Sequence, residues 1–292
     1  MSIIKNIALI FLTCAVLSGC ATRGNKGNQK VALVIGNSAY QHTAPLPNPA
    51  NDAAGMAQDL RGLGFDVVEG LDTDTQKLKQ VLATFAARLE GARVGLFFYA
   101  GHAIQVSGKN LLVPVDASFD ESLVANSSRF ESQLVSLDRV LEIMDSQQST
   151  NLVFLDACRD NPLVASLSGK GAKGASRSVS QYNSRGIKVR VAQLRKGLAQ
   201  IEARNSRNML IAYATQPGNV ALDGAGANSP FTSALLENIR NPGVEVRSLL
   251  TDVRRSVMAE TDDKQIPWDH ASLTEPFYFK PLIKTKSVAP PP

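Results

Sequence analysis

The chain has 292 residues, of which 44% are hydrophobic and 20% charged, and its formal net charge is +5. This composition excludes fibrous and disordered proteins and is that of a globular protein long enough to bury a core without staples. The three cysteines and three scattered histidines exclude a disulfide scaffold and argue against a multi-histidine metal centre.

The first twenty residues have the pattern of an export signal. Lys5 precedes an apolar run from Ile7 to Leu17, whose eleven residues are fewer than the roughly 20 that span a bilayer core. The run leads into Leu-Ser-Gly-Cys, which resembles the lipobox of bacterial lipoproteins, where the cysteine is acylated and becomes the new N-terminus. We therefore expect a signal peptide over 1–19 and lipid on Cys20. A plain signal peptide with an incidental Cys20 is the alternative.

A lipid on Cys20 would anchor the chain in the bacterial cell envelope. Because Ala21 follows the cysteine, where an aspartate is associated with inner-membrane retention, we expect the outer membrane, facing the periplasm. Residues 20–29 are small and polar, as in a flexible tether.

Strands and helices alternate along the rest of the chain. Apolar runs predict strands at 30–36, 65–70, 93–102, 151–158 and 208–215, and an edge strand at 277–279. Helical spacing of apolar residues predicts helices at 51–63, 75–90, 137–144 and 246–258, and another between the N-cap Ser229 and Asn241. This order predicts one α/β domain over 30–282, with a mainly parallel sheet covered by helices, before a Pro-rich tail over 283–292.

The segment 163–200 interrupts this alternation. It is rich in glycine and serine, contains no acid and carries eight basic residues. A segment of this composition cannot form a buried core, so we expect an exposed, mobile loop. These eight charges exceed the whole formal excess of +5, so the rest of the chain sums to −3. The positive charge therefore does not indicate a basic folded face, and no nucleic-acid partner is expected.

A cysteine and a histidine end two of the predicted strands. Cys14 would leave with the signal peptide and Cys20 would carry lipid, so Cys158 would be the only free thiol of the mature chain. His102 and Cys158 both follow strands of a parallel sheet, the edge where such sheets bind ligands. An imidazole beside a thiol of pKa about 8.5 can take its proton and make a nucleophile. The alternative is that Cys158 is an inert, buried small hydrophobe.

Several motifs resemble the caspase-like cysteine peptidases of family C14, and more closely their bacterial and metacaspase-type members than the animal enzymes. Ala-Gly-His ends one strand and Asp-Ala-Cys-Arg ends the next, with His102 and Cys158 separated by 56 residues. The resemblance extends over nearly all of 30–280, through the sequences LVIGNSAY, LPNPANDAAGMAQDLRGLGFDV, GHAIQVSGKNLLVPVDA, IAYATQPGNVALDG and NSPFTSALL.

The resemblance implies a caspase–haemoglobinase fold and a cysteine endopeptidase of the EC 3.4.22 type. Cys158 would be the nucleophile and His102 the general base and acid. The backbone N–H groups of Cys158 and Ala103 would bind the oxyanion. The family usually has glycine where Ala103 stands, and a β-carbon there restricts the backbone if the site needs a positive φ.

The resemblance also implies which substrate residue the enzyme prefers at P1, the position just before the scissile bond. Asp156 stands where animal caspases have a glutamine that helps select aspartate, and Asp52 matches the second acid of metacaspase-like members. Two carboxylates suit a guanidinium or ammonium group, so we expect protein or peptide substrates cleaved after Arg or Lys. The alternatives are that Asp52 caps its helix and that Asp156 bonds to local backbone.

No cofactor and no structural metal is expected, although calcium activation of some relatives leaves that regulation open. Asp160, Asn161 and Trp268 are expected to shape the surroundings of the site, with core or turn roles as the alternative. Self-cleavage in 163–200 is a further hypothesis, since this segment offers Lys and Arg. The alternatives to an enzyme are a catalytically silent scaffold or binding protein of the cell envelope, and an envelope protein that binds polyanions through the basic segment.

Overall fold

The computed structural model describes residues 29–106, 109–118, 127–146, 149–158, 194–195, 207–216, 219 and 221–282. The expected signal peptide, lipidated Cys20, Asp160, Asn161, the Pro-rich tail and all of the basic segment except 194–195 lie outside these residues. Across the described ranges, no helix combines the length and apolar character that crossing a membrane requires.

The five apolar strands and the five helices that the sequence predicts are present in the predicted order, together with shorter elements that it does not predict. The strands are β1 (Lys30–Gly36), β2 (Phe65–Leu71), β3 (Val94–Val106), β4 (Lys109–Leu112), β5 (Val135–Ser136), β6 (Thr150–Cys158), β7 (Leu194–Arg195), β8 (Met209–Tyr213) and β9 (Trp268–Ala271). The helices are α1 (Pro49–Gly62), α2 (Thr75–Leu89), α3 (Ser127–Glu131), α4 (Leu137–Asp145), α5 (Pro230–Asn238) and α6 (Val246–Glu260).

The central sheet has the strand order β2-β1-β3-β6-β8-β9 and is parallel except for β9, which runs antiparallel to β8. The predicted α/β class and mainly parallel sheet are therefore confirmed. β1, β3 and β6 begin in one row, because Lys30 pairs with Val94 and Val94 pairs with Thr150. Their carboxyl ends consequently meet at the same edge of the sheet.

Helices cover both faces of this sheet, as the apolar spacing predicts. On one face, α1, α5 and α6 pack on alternate strand residues such as Phe98 and Phe154. On the other face, α2 and α4 pack on the intervening residues, among them Phe97 and Tyr99. The strands are thus buried on both sides, which explains why they are continuous apolar runs.

The third strand is longer than predicted. β3 continues four residues beyond His102, and this extension pairs antiparallel with β4, which in turn pairs with β5. β7 pairs with the same extension at Gln105 and Val106. Sequence patterns miss this second, smaller sheet because β4, β5 and β7 have only two to four residues each.

The predicted edge strand at 277–279 is wrong. Only an isolated bridge between Tyr278 and Glu245 occurs there, and the edge strand is β9. The aromatic residues of this stretch are present for packing, because Phe279 is 3% exposed and contacts the rings of Phe65 and Phe154. Trp268, at the start of β9, is exposed.

Gly36 should tolerate no side chain, because β1 ends directly against the start of α1. A β-carbon on Gly36 would lie 2.2 Å from the carbonyl oxygen of Pro49 and 2.7 Å from the β-carbon of Ala53. We expect Gly36→Ala to lower the free energy of unfolding in urea by about 1–3 kcal/mol. The matched control is Gly62→Ala, whose β-carbon meets no atom within 4 Å and which should be neutral or stabilising. Equal stability of the two variants would contradict this packing.

Candidate functional site

His102 and Cys158 are register partners at the carboxyl end of the sheet. They form the last pair between the parallel strands β3 and β6. Adjacent strands lie about 4.8 Å apart, so the two backbones are as close as neighbouring strands allow. For Cys158 the structure describes the backbone and not the side chain.

The imidazole of His102 is buried, with 5% of the residue exposed, and its Nε2 lies 2.9 Å from the carbonyl oxygen of Ala44. A carbonyl only accepts hydrogen bonds, so this contact assigns the proton of the neutral ring to Nε2. Nδ1 is then the basic nitrogen of the neutral ring, and it can accept a proton from an acid beside it.

Two phenols hold the backbone of His102. The N–H of His102 donates to the hydroxyl of Tyr40 over 2.7 Å, and the hydroxyl of Tyr99 donates to the His102 carbonyl over 2.7 Å. The ring of Tyr40 also packs on the imidazole, with centroids 4.4 Å apart. Gly101 precedes them at a φ of +148°, and a β-carbon on it would lie 2.6 Å from the Tyr40 hydroxyl oxygen.

The loop after β1, which carries Tyr40 and Ala44, is tied to the sheet. Asn37 is fully buried and links the loop to Thr73 and to the carbonyl of Val113. A carboxylate oxygen of Asp72 accepts from the backbone N–H groups of Ser38 and Ala39 over 2.7 and 2.9 Å. Local packing therefore determines where the acceptor for the His102 ring lies.

Ala103 does not have the strain that its β-carbon could introduce. It is absent from the positive-φ residues of the described chain, which among non-glycines are Asp72, Asn208, Asp262 and Asp263. The carbonyl of His102 accepts from Val113 in the hairpin. Because N–H directions alternate along a strand, the N–H of Ala103 faces away from β4, toward the side of β6.

Asp52 and Asp156 are both hydrogen-bonded to Ser229, near the carboxyl ends of the strands. One oxygen of Asp52 accepts from the backbone N–H of Ser229 over 3.0 Å and from the side chain of Asn228 over 2.9 Å. One oxygen of Asp156 accepts from the hydroxyls of Ser229 and Thr232. Asp52 is 1% exposed and Asp156 6% exposed, so two buried carboxyl groups share a bridging residue.

These bonds answer the two structural alternatives for the acids. The N-cap of α1 is Asn48, which makes no capping side-chain bond, and the bonds of Asp52 go to the segment before α5 and not to its own helix. Within the residues that the structure describes, the bonds of Asp156 go to the hydroxyls at the start of α5 and not to local backbone. The predicted N-cap role of Ser229 is confirmed, because its hydroxyl accepts from the N–H of Thr232.

Asp223 is a third acid that sequence patterns miss. Burial raises its pKa, and no donor among the described residues reaches its buried oxygen Oδ2. The preceding N–H, of Leu222, donates to the side chain of Gln265 over 2.8 Å, which holds this loop in place. The sequence signal that could have found it is the motif IAYATQPGNVALDG, which contains Asp223 ten residues beyond β8.

The acids are held in an environment that disfavours their charged forms. Burial, and then the charge of Asp156, raise the pKa of Asp52 to about 8. Burial raises the pKa of Asp156 to about 6, against hydrogen bonds from Ser229 and Thr232 that lower it. The charge of Asp223 adds to both shifts. In the described residues, no three His, Cys, Asp or Glu side chains are arranged to hold a metal ion.

Comparison with known proteins finds one matching family and several similar proteins. The profile of the caspase domain family, peptidase C14, matches residues 29–278. Mucosa-associated lymphoid tissue lymphoma translocation protein 1 from Homo sapiens is 34% identical over 131 residues, which is 44% of this chain. Its homolog from Mus musculus matches to the same extent, and the alignment covers 15% of the length of each of these two proteins.

Two solved structures have the same fold. Caspase-1 from Spodoptera frugiperda superposes with a TM-score of 0.58 at 16% identity, covering 89% of this chain and 92% of that one. Pro-sf-caspase-1 gives a TM-score of 0.55 at 16% identity, over 87% of this chain and 90% of that one. The caspase-like arrangement of strands and helices is therefore present here.

Proposed function

Because this chain belongs to the caspase domain family, we propose that it is a cysteine endopeptidase that cleaves peptide bonds after Arg or Lys. The observation that carries the proposal is the pairing of His102 with Cys158 at the end of β3 and β6, beside the buried acids Asp52 and Asp156. The pair supplies a nucleophile with its base, and the acids supply a complement to a cationic side chain.

The proposed reaction follows from the tautomer of His102. Nδ1 takes the thiol proton of Cys158, and the thiolate attacks the scissile carbonyl carbon. The negative oxygen is stabilised by the N–H groups of Cys158 and Ala103. The imidazolium then gives its proton to the departing amine, which leaves an acyl-enzyme. Water, deprotonated by His102, hydrolyses the thioester and restores the thiol.

The hydrogen bond to Ala44 supports this role of His102 in two ways. It holds the ring in one orientation while the proton is taken up and released at Nδ1. When the ring becomes an imidazolium, the same bond becomes charge-assisted and therefore stronger. The bond thus favours the charged intermediate over the neutral resting ring.

The acids would bind the P1 side chain. A guanidinium presents five N–H donors in a planar fork, and carboxylate oxygens are the acceptors that it bonds best. Asp223 has a buried oxygen without a donor among the described residues, and Asp52 and Asp156 each use one oxygen in the bonds described above. We include Asp223 with them as a third member of the P1 site.

The test is a panel of fluorogenic peptides that differ only in P1, namely Arg, Lys, Asp and Leu, assayed on wild type and Cys158→Ala. Turnover of the Arg and Lys peptides by wild type alone would support the proposal. Preference for Asp would contradict the specificity. Absence of turnover and of labelling by a thiol-reactive peptide probe would favour a catalytically silent scaffold.

Activity on the Arg peptide should rise with pH between about 6 and 8. The pKa of Asp52 is raised to about 8 and that of Asp156 to about 6, so both acids become ionised across this interval. The guanidinium stays charged throughout, so binding strengthens as the acids lose protons. The measurement is kcat/KM against pH for wild type and Asp52→Asn, and the rise should be smaller in the variant. Identical profiles would show that these acids do not titrate with activity.

We also propose that the expected self-processing and envelope attachment belong to this function. The segment 163–200 offers the Lys and Arg residues that such an enzyme would cleave, and a lipid on Cys20 would hold the enzyme at the membrane. Incubating wild type and Cys158→Ala after export tests the first point, which fails if both chains stay intact. Mass spectrometry of the exported N-terminus, compared with Cys20→Ala, tests the second.

A further inference from the structure

We propose that Tyr40 is a positioning residue for His102, acting through its hydroxyl on the backbone of the histidine. This inference rests on the proposed function, in which His102 moves the proton. The hydroxyl oxygen of Tyr40 lies 2.7 Å from the backbone nitrogen of His102 and accepts its hydrogen bond. Tyr40 is 7% exposed, so this bond is made away from solvent.

The Tyr40 hydroxyl replaces a bond that the hairpin would otherwise make. The N–H of Val113 donates to the carbonyl of His102, as in an antiparallel pair. The return bond of such a pair would run from His102 to the carbonyl of Val113. That carbonyl instead accepts from the side-chain amide of Asn37 over 3.1 Å, and His102 donates to Tyr40.

Gly101 shows that this arrangement depends on close approach. Its φ of +148° is available to glycine and strained for other residues, and it rotates the peptide that carries the N–H of His102. A β-carbon on Gly101 would lie 2.6 Å from the Tyr40 oxygen. The backbone turn at Gly101 and the Tyr40 hydroxyl therefore form one unit that determines where the His102 side chain begins.

The ring of Tyr40 also restricts the imidazole ring of His102. Its centroid lies 4.4 Å from that of the imidazole, at an interplanar angle of 45°. The ring packs against His102 while Ala44 accepts from Nε2, so the imidazole is held by a ring contact and a hydrogen bond. Tyr40 thus contributes through its hydroxyl to the backbone and through its ring to the side chain.

The decisive variant is Tyr40→Phe, which keeps the ring and removes the acceptor. We expect kcat on the Arg peptide to fall about 10- to 100-fold with little change in KM, because a buried N–H loses its partner while the P1 site is untouched. Tyr99→Phe is the matched variant. It should lower kcat less than Tyr40→Phe does, because the carbonyl of His102 keeps the donor Val113 at 3.1 Å. Tyr278→Phe, on the exposed C-terminal segment, should behave as wild type.

Two further measurements separate this inference from the proposed function. The pH dependence of Cys158 alkylation by iodoacetamide reports the thiolate without peptide, and the nitrogen chemical shifts of His102 report its ring without any reaction. A changed alkylation profile and changed shifts in Tyr40→Phe, with little change in Tyr99→Phe, would support positioning. Wild-type values of kcat, alkylation and shifts in Tyr40→Phe would overturn it. If wild type turns over no peptide, the proposed function fails and the shifts alone decide the role of Tyr40.

Discussion

A His102→Gln variant should lose about 10⁴-fold or more in kcat/KM on the Arg peptide, the loss expected when a member of a catalytic unit is removed. Glutamine has a similar size and an amide N–H that can still donate to the carbonyl of Ala44, but it cannot take up a proton at neutral pH. The variant therefore keeps the hydrogen bond and loses the base. Peptide turnover and Cys158 alkylation at pH 6–8 should fall together.

The losses of activity caused by Cys158→Ala and His102→Gln should not be additive. If the two residues act in one step, the double variant should be no slower than the slower single variant. Thermal unfolding of each variant checks that the fold is kept. Residual activity of His102→Gln within tenfold of wild type would show that another group deprotonates the thiol.

Neutralising the acid pair should lower activity and raise stability. Asp156→Asn and Asp52→Asn each remove one charge from the proposed P1 site, and we expect kcat/KM for the Arg peptide to fall about 10²- to 10³-fold, as when one partner of a buried ion pair is lost. The lower kcat/KM should come mainly from a higher KM. The peptide with Leu at P1 should be affected much less.

The stability effect of Asp52→Asn has the opposite sign. Burial raises the pKa of Asp52, so the folded chain still holds the proton at pH values where the unfolded chain has released it. The contribution of Asp52 to the free energy of unfolding of wild type therefore falls as pH rises from about 4 to about 8. The neutral amide of the variant resembles the protonated acid, so urea unfolding should show higher stability and a smaller dependence on pH. Loss of both activity and stability would indicate damage to the fold.

A matched control for these changes is Asp66→Asn. Asp66 lies on β2, where its exposed carboxylate pairs with Arg88 at 2.7 Å, and an exposed pair of this kind contributes little. Activity on the Arg peptide and stability at neutral pH should stay close to wild-type values. Similar behaviour of the Asp66 and Asp52 variants would show that net charge, and not the P1 site, causes the effects.

The parallel part of the fold could be predicted because its signals are local. Strands buried on both faces must be continuous apolar runs, and the helices that cover them must repeat every three to four residues. His102 and Cys158 follow from the same reasoning, since ligands bind where parallel strands end. Their bond network does not follow, because Tyr40 and Ala44 come from a loop whose path is determined by Asn37 and Asp72.

The incorrect or missing predictions concern residues whose place depends on distant contacts and not on a local apolar pattern. Phe277 and Phe279 have the aromatic composition of a strand, but they pack edge to face as part of the core. Sequence patterns miss β9 because an exposed edge strand needs no apolar run. Asp223 lies in a loop, where no periodicity marks a residue, and only the fold brings it near Asp52 and Asp156.

The shared starting row of β3 and β6 has a consequence for which insertions and deletions the chain can tolerate. Val94 pairs with Thr150, and His102 and Cys158 are each the ninth residue of their strands counted from that row. One residue added or removed within 94–102 would break the register pairing of His102 with Cys158, and each later side chain would lie on the opposite face of the sheet. Changes of length between Val106 and Thr150 leave this count intact. Descendants of this sequence should therefore vary in length in the connections and keep both nine-residue counts.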